Sequence, residues 1–134
     1  MQVMKHEEVV IREEAGIVEA RQKARLLVRE LGLGMTDQTK TVTAVSEIAR
    51  NTLVYGGGGT ATLEIIQDAG RKCLRMTFSD NGPGIPDLNK ALTDGFTTGG
   101  GMGLGLGGAK RLVDEFELHS RPGEGTRVVL TKWK

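Results

Sequence analysis

A single cysteine, Cys73, is all the thiol chemistry this chain carries, so no disulfide framework is possible. It sits in the apolar-alternating run KCLRMTF, where a thiol reads as a small buried hydrophobe and not as a nucleophile or metal ligand. Neither sign of charge is in excess: 18 Lys and Arg against 17 Asp and Glu leave a formal net charge of +1. A nucleic-acid surface normally shows as a marked basic surplus, so small molecules or proteins are the expected partners. Long hydrophobic runs are missing as well. The N-terminal MQVMKHEEVV lacks the apolar centre of a secretory signal, and no stretch approaches the roughly 18 apolar residues that a membrane span needs. These absences point to a soluble cytoplasmic protein that engages neither nucleic acid nor membrane. With 134 residues, the chain can build one hydrophobic core but hardly two, so residues 1–134 are expected to form a single domain.

What is present is a linker-free mixture of helix and strand patterns. EEVVIREE (Glu7 to Glu14) reads as a short strand. GIVEARQKARLLVRELGL then repeats apolar residues at helical spacing, Ile17, Ala20, Ala24, Leu27, Val28 and Leu31, and closes on Gly32 and Gly34. A second helix follows in TDQTKTVTAVSEIARNTLVYG, capped by Thr36 or Asp37, striped by Val42, Val45, Ile48, Ala49 and Leu53, and stopped by four glycines. TATLEIIQ and KCLRMTFS alternate around the turn DAGR, which is a hairpin signature. Between Asn81 and Gly108 the pattern thins to at most one short helix near Leu88. After it, AKRLVDEF restores helical spacing, and FELHS and TRVVLTKW flank the turn RPGEGT as a second hairpin. This order suggests an antiparallel or mixed sheet with the helices on one face.

The chain holds 20 glycines, and their densest run invites two familiar readings that both fail. Gly103, Gly105 and Gly108 formally satisfy G-x-G-x-x-G, but the dinucleotide fingerprint must follow a strand and open a βαβ unit, whereas TTGGG precedes it here. A P-loop is excluded because no glycine run leads into Lys-Ser or Lys-Thr.

Four separated blocks do form a coherent set. SEIARN, DNGPGIPD, GMGLGL and GEGT resemble, in order and spacing across residues 36 to 134, the N, G1, G2 and G3 boxes of the Bergerat-fold ATPases: gyrase, the heat-shock chaperone, sensor histidine kinases and the MutL repair proteins. The compact length and the VSEIARN box are most similar to the small bacterial serine/threonine kinases of sigma-factor partner switching, and among these to the stressosome kinase. The resemblance implies a two-layer α/β sandwich, a mixed sheet covered on one face by helices, with ATP and Mg²⁺ held between the helices and a lid.

The chemistry of the boxes agrees with that resemblance. Glu47 and Asn51 stand four apart on a helix and so address the same volume. Asn51 can give one hard oxygen to a Mg²⁺ that otherwise keeps waters and phosphate oxygens. Glu47, the expected catalytic residue, would take the proton from the attacking hydroxyl or orient it. Asp80 ends a strand, where its carboxylate can accept from the adenine 6-amino group and would repel a guanine carbonyl. Gly82 and Gly84 are expected to clear space for the purine, with Pro83 stiffening the turn. Thr126 would bring a hydroxyl to the same base, through a water in much of this superfamily. Gly101, Gly103, Leu104 and Gly105 belong to a phosphate lid that runs into a helix N-terminus. Related anti-sigma kinases carry a basic residue in a longer lid, whereas from Ala91 to Ala109 this chain has no Lys or Arg. An extra cation would have to come from Lys110, Arg111 or a partner.

Other charged features carry less. Arg21, Arg25 and Arg29 form a like-charge row on the first helix, either a solvated face with nearby glutamates or a docking surface for an acidic partner. His6 lies in a strand-like run without the long dimerisation helix of a phosphohistidine donor, and His119 reads as an ordinary strand residue. The resemblance implies a kinase whose substrates are STAS-type antagonist or scaffold proteins, and which acts on a downstream effector after release. Two other readings remain open from the residues: an anti-sigma factor that sequesters a sigma subunit, with kinase activity secondary, and an ATPase without a protein acceptor.

Overall fold

The computed structural model describes residues 1–92 and 105–134. In chain order these form β1 (Gln2–Ile11), α1 (Glu14–Glu30), α2 (Met35–Arg50), a π-helical turn (Asn51–Tyr55), β2 (Gly59–Asp68), β3 (Arg71–Asp80), α3 (Leu88–Ala91), α4 (Leu106–Leu112), β4 (Glu115–Ser120) and β5 (Thr126–Trp133). The strands make one five-stranded sheet in the order β1-β2-β3-β5-β4. Every pairing among the described residues is antiparallel, so of antiparallel and mixed sheets the structure takes the first. The physical reason is local. The two hairpins each return the chain beside itself, and the longer connections bring it back with the same alternation of direction.

One face of the sheet is dry. Successive side chains of a strand point to opposite faces, and the register sets Leu63 beside Met76 and Met76 beside Leu130. All three are fully buried, with Ile17, Ala20, Ala24 and Leu27 of α1 and Val45, Ile48 and Ala49 of α2 in the same core. α1 meets the core along the stripe that its spacing predicts, whereas α2 does so through Val45, Ile48 and Ala49 with Thr41 and Ala44 buried in place of Val42. The other sheet face carries charge: Glu64 accepts from Arg75 at 3.3 Å and lies 3.0 Å from His6 Nδ1. The β2–β3 turn places Ala69 at φ 52° and Gly70 at φ 82°, the paired positive angles of a two-residue hairpin turn.

Element boundaries differ from the sequence pattern in three places. β1 begins at Gln2, not Glu7, because β2 is long enough to pair with it from Gln67 to Gly59. Glu14 then opens α1, where an acidic residue suits the positive end of the helix dipole. Gly34 is the N-cap of α2, and neither Thr36 nor Asp37 caps it. Asp37 instead pairs with the nearly buried Lys132 of β5 at 3.1 Å, joining the start of α2 to the far end of the sheet. α4 stops at Leu112, so the run AKRLVDEF is divided between helix and β4. The short helix near Leu88 is present as α3. Cys73 is buried, and burial pushes its thiol above the ordinary range, as expected of an inert side chain. No helix among the described residues is long and apolar enough to cross a membrane.

Candidate functional site

The last turn of α2 presents Glu47 to solvent and leads directly into Asn51, where the helix widens to π geometry and the Gly56 amide bonds the Asn51 carbonyl at 3.0 Å. A π turn adds a residue to the helical register and is frequent at functional sites. Asn51 is 7% exposed, and its side-chain oxygen Oδ1 has no hydrogen-bond partner among the described residues. An unmatched buried acceptor costs about 1–3 kcal/mol. An oxygen kept in that condition is suited to a ligand that supplies the missing contact.

Gly105 lies against the same helix. Its φ of +69° is left-handed, and a Cβ built there would overlap the Glu47 carboxylate. The N box and the end of the glycine-rich G2 block therefore touch. The structure brings Gly105 against Glu47, a contact that sequence spacing alone could not give. Gly101, Gly103 and Leu104 lie outside the described residues.

A second cluster forms where β3 and β5 end. Asp80 is paired with Thr126, and Thr126 with Ser120 on the next strand. Burial raises the Asp80 carboxyl above its ordinary value of 3.8, while the backbone amides of Gly82 and Thr126 donate to it and pull the other way. The Gly82 bond to Asp80 Oδ1 measures 2.9 Å. Beside these residues opens a cavity of about 560 Å³, lined in part by Asp80, Leu88, Leu118, Ser120, Gly125 and Thr126. That volume falls within the range of small-molecule sites. Glu47 and Asn51 are not part of its lining.

Gly82 and Gly84 stand where the backbone comes close to other segments of the chain. A Cβ on Gly82 would meet the backbone of Gly56, and one on Gly84 would meet the Arg121 carbonyl. These glycines let the G1 turn close onto the chain just after α2 and onto the β4–β5 turn. Three further residues build this corner without a sequence signal that singled them out. Tyr55 donates its hydroxyl to the Gly84 carbonyl at 2.9 Å. Gly56 leaves room for the Asp80 carboxylate. Ser120 bonds Ile85, Gly125 and Thr126. Tyr55, the one tyrosine of the chain, ends the N-box helix, and that position was the available clue.

Arg25 and Arg29 are exposed and Arg21 is half-buried, and none of the three forms an ion pair with a described residue. The glutamates around them are engaged elsewhere: Glu30 with Lys5 at 2.7 Å, Glu14 with Arg50 at 2.8 Å and Glu19 with Lys23 at 3.9 Å. His6 and His119 lie in β1 and β4 beside glutamates. Lys110 and Arg111 occupy the last turn of the seven-residue α4.

Comparison with known proteins agrees with this geometry. Residues 36–134 match the family described as histidine kinase-, DNA gyrase B-, and HSP90-like ATPase. The chain is 50% identical over 125 residues to the serine/threonine-protein kinase RsbT of Bacillus subtilis (strain 168), covering 93% of this chain and 94% of that protein. It is 30% identical over 118 residues to the anti-sigma F factor of Bacillus licheniformis, covering 84% and 81%. Among solved structures, the RsbU and RsbW domains of a Mycobacterium tuberculosis protein superpose with a TM-score of 0.66 at 19% identity, over 98% of this chain and 33% of that one. The catalytic domain of histidine kinase ThkA does so with a TM-score of 0.55 at 17% identity, over 96% and 95%. These two likenesses speak to the fold alone. The nucleotide-site boxes, the five-stranded sandwich and the likeness to a serine/threonine kinase over nearly the whole chain lead to one conclusion: the chain belongs to the histidine kinase-, DNA gyrase B- and HSP90-like ATPase family, as an ATP-dependent serine/threonine protein kinase of the partner-switching type.

Proposed function

We propose that this kinase uses Mg²⁺-ATP to phosphorylate a Ser or Thr of small STAS-type antagonist or scaffold proteins in a cytoplasmic, stressosome-like partner switch, and that its release then frees it for a downstream effector. The observation that carries the chemistry is the placing of an exposed carboxylate, Glu47 of α2, one turn before a buried and unmatched amide oxygen, Asn51 Oδ1 at the start of the π turn. The Asn51 oxygen fits a single protein ligand to Mg²⁺, an ion that keeps waters and phosphate oxygens for its other positions. When bound, Mg²⁺ would supply charge stabilisation on the phosphates.

Asp80 binds the adenine amine in this reading, with Thr126 beside it, and Gly105 with the lid residues Gly101, Gly103 and Leu104 closes over the phosphates. Glu47 accepts the proton of the acceptor hydroxyl as its oxygen bonds the γ-phosphorus and the bond to the β-phosphate oxygen breaks, releasing ADP. Exposure of Glu47 suits an acceptor that arrives on another protein. The likeness to the anti-sigma F factor supports a second reading, in which the protein sequesters a sigma subunit and phosphorylation is secondary.

A single-turnover assay with labelled ATP and purified STAS-domain partners tests the proposal. Removing a positioned base typically costs about 10²- to 10⁴-fold. Glu47→Ala should therefore keep Mg-ATP and partner binding while losing nearly all transfer. Asn51→Ala should weaken Mg-ATP binding itself. Transfer by Glu47→Ala at close to the parent rate would move the function toward sequestration.

A further inference from the structure

We propose that Ser120 is a positioning residue of the nucleotide site that fixes which way the Thr126 hydroxyl points its proton, and thereby sharpens selection of a 6-amino over a 6-oxo purine. The inference rests on the reading of Asp80 and Thr126 as the base-recognising pair. It comes from hydrogen-bond accounting at one atom. Ser120 Oγ has three neighbours: the Ile85 amide at 2.8 Å, the Gly125 carbonyl at 3.0 Å and Thr126 Oγ1 at 2.8 Å. A serine hydroxyl has one proton to give and two lone pairs to receive. The Ile85 amide can only donate, so it takes one lone pair. The Gly125 carbonyl can only accept, so it takes the proton. Thr126 is left one role toward Ser120, and that role is donor.

The consequence falls on the cavity. Thr126 is 6% exposed and lines the cavity together with Asp80 and Ser120. With its proton committed to Ser120, the Thr126 oxygen meets the cavity with lone pairs only. Two acceptors, the Asp80 carboxylate and Thr126 Oγ1, then face the base edge. An amino group, or a water that donates to the site, satisfies them. A 6-oxo group does not. Removing Ser120 frees the Thr126 hydroxyl to rotate and donate to a 6-oxo group. Ser120 also ties the loop that follows Asp80, through Ile85, to the β4–β5 turn, through Gly125, so the two acceptors are held by one hub.

The test is equilibrium binding of ATP and of inosine 5′-triphosphate to the 134-residue chain. A neutral hydrogen bond is worth about 0.5–1.5 kcal/mol, so Ser120→Ala should lower the ATP-to-inosine-triphosphate preference by roughly threefold to tenfold, and Ser120→Thr, which keeps a hydroxyl, should restore it. In a Thr126→Val background the Ser120→Ala change should leave the preference where it was. A purely structural serine would weaken both nucleotides alike and leave their ratio unchanged, which would overturn the proposal. So would an equal change in ratio with and without the Thr126 hydroxyl. Asp80→Asn separates this inference from the reading beneath it. If that variant binds ATP as tightly as the parent, the base site itself is elsewhere; if it loses ATP while the Ser120→Ala ratio is unchanged, the base site stands and the role of Ser120 falls.

Discussion

Asp80 meets two opposed demands. In the proposed site it would keep a charged carboxylate to accept from a base, yet burial makes that charge unfavourable and raises its pKa. A group raised in the folded state stabilises below its unfolded value, and that contribution is lost as pH climbs through the folded value. At neutral pH the charged Asp80 therefore works against folding. Asp80→Asn should abolish most ATP affinity, because it can present a donor where an acceptor is needed, while melting at a higher temperature than the parent at pH 7. The stability difference should shrink on acidification toward pH 4, as the parent carboxyl takes its proton. Melting curves across that range with nucleotide titrations check both halves; a lower melting temperature for the variant at pH 7 would contradict the burial argument. Glu64 behaves in the opposite sense. Although burial opposes it, the bonds from His6 and Arg75 leave its carboxyl below the usual range, so its stabilising share is present above its unfolded pKa and lost as pH falls through the lower folded value.

At the scale of elements, two helical glycines make opposite predictions. Gly16, in the first turn of α1, presses on β1 so closely that a Cβ would overlap the Val10 carbonyl. Backbone cannot rotate aside as a side chain can, and overpacking typically destabilises by about 1–3 kcal/mol. Gly16→Ala should therefore lower stability by an amount of that order. Gly108, in α4, has nothing within 4 Å of its notional Cβ. Glycine is about 1 kcal/mol less favourable than alanine inside a helix, so Gly108→Ala should raise stability by up to that amount. Denaturant unfolding of the two variants measures both signs. The π turn belongs at this scale as well, since it carries the chain from Asn51 to Tyr55, whose hydroxyl then holds the G1 turn.

For the whole molecule, the partner-switching function asks for a surface that another protein can grip. On the docking reading Arg25 and Arg29 would provide one, since nearby glutamates pair with Lys5, Lys23 and Arg50 instead. A like-charge row loses a few tenths of a kcal/mol per pair, a loss that an acidic partner would reverse. Arg25→Glu should weaken complex formation with a STAS-type partner without changing ATP affinity. The effect should be largest at low ionic strength, where exposed charges are least screened. Equal complex formation by variant and parent in low salt would return the row to an ordinary solvated face.

The main helices, the hairpins and the four-residue spacing of Glu47 and Asn51 are legible in the local sequence. Each of these rests on local periodicity, which the burial of one face imposes on neighbouring residues. Ile17, Ala20, Leu27 and Val45 could be assigned to the core from spacing alone, and they are there. The glycine-rich boxes located Asp80, Gly105 and Thr126 by their order along the chain. Only the tertiary structure decided how they combine. Asp80 meets Thr126, and Thr126 in turn meets Ser120, because β5 inserts between β3 and β4, a choice made by packing the whole sheet against two helices. Gly82 and Gly84 face the chain and not open space because Gly56 and Arg121 arrive from distant segments. The unmatched oxygen of Asn51 and the contact of Gly105 with Glu47 likewise depend on what the rest of the fold brings, or fails to bring, within reach. Local burial patterns write elements into a sequence, whereas hydrogen-bond partners across a sheet are fixed by a register that no single segment contains.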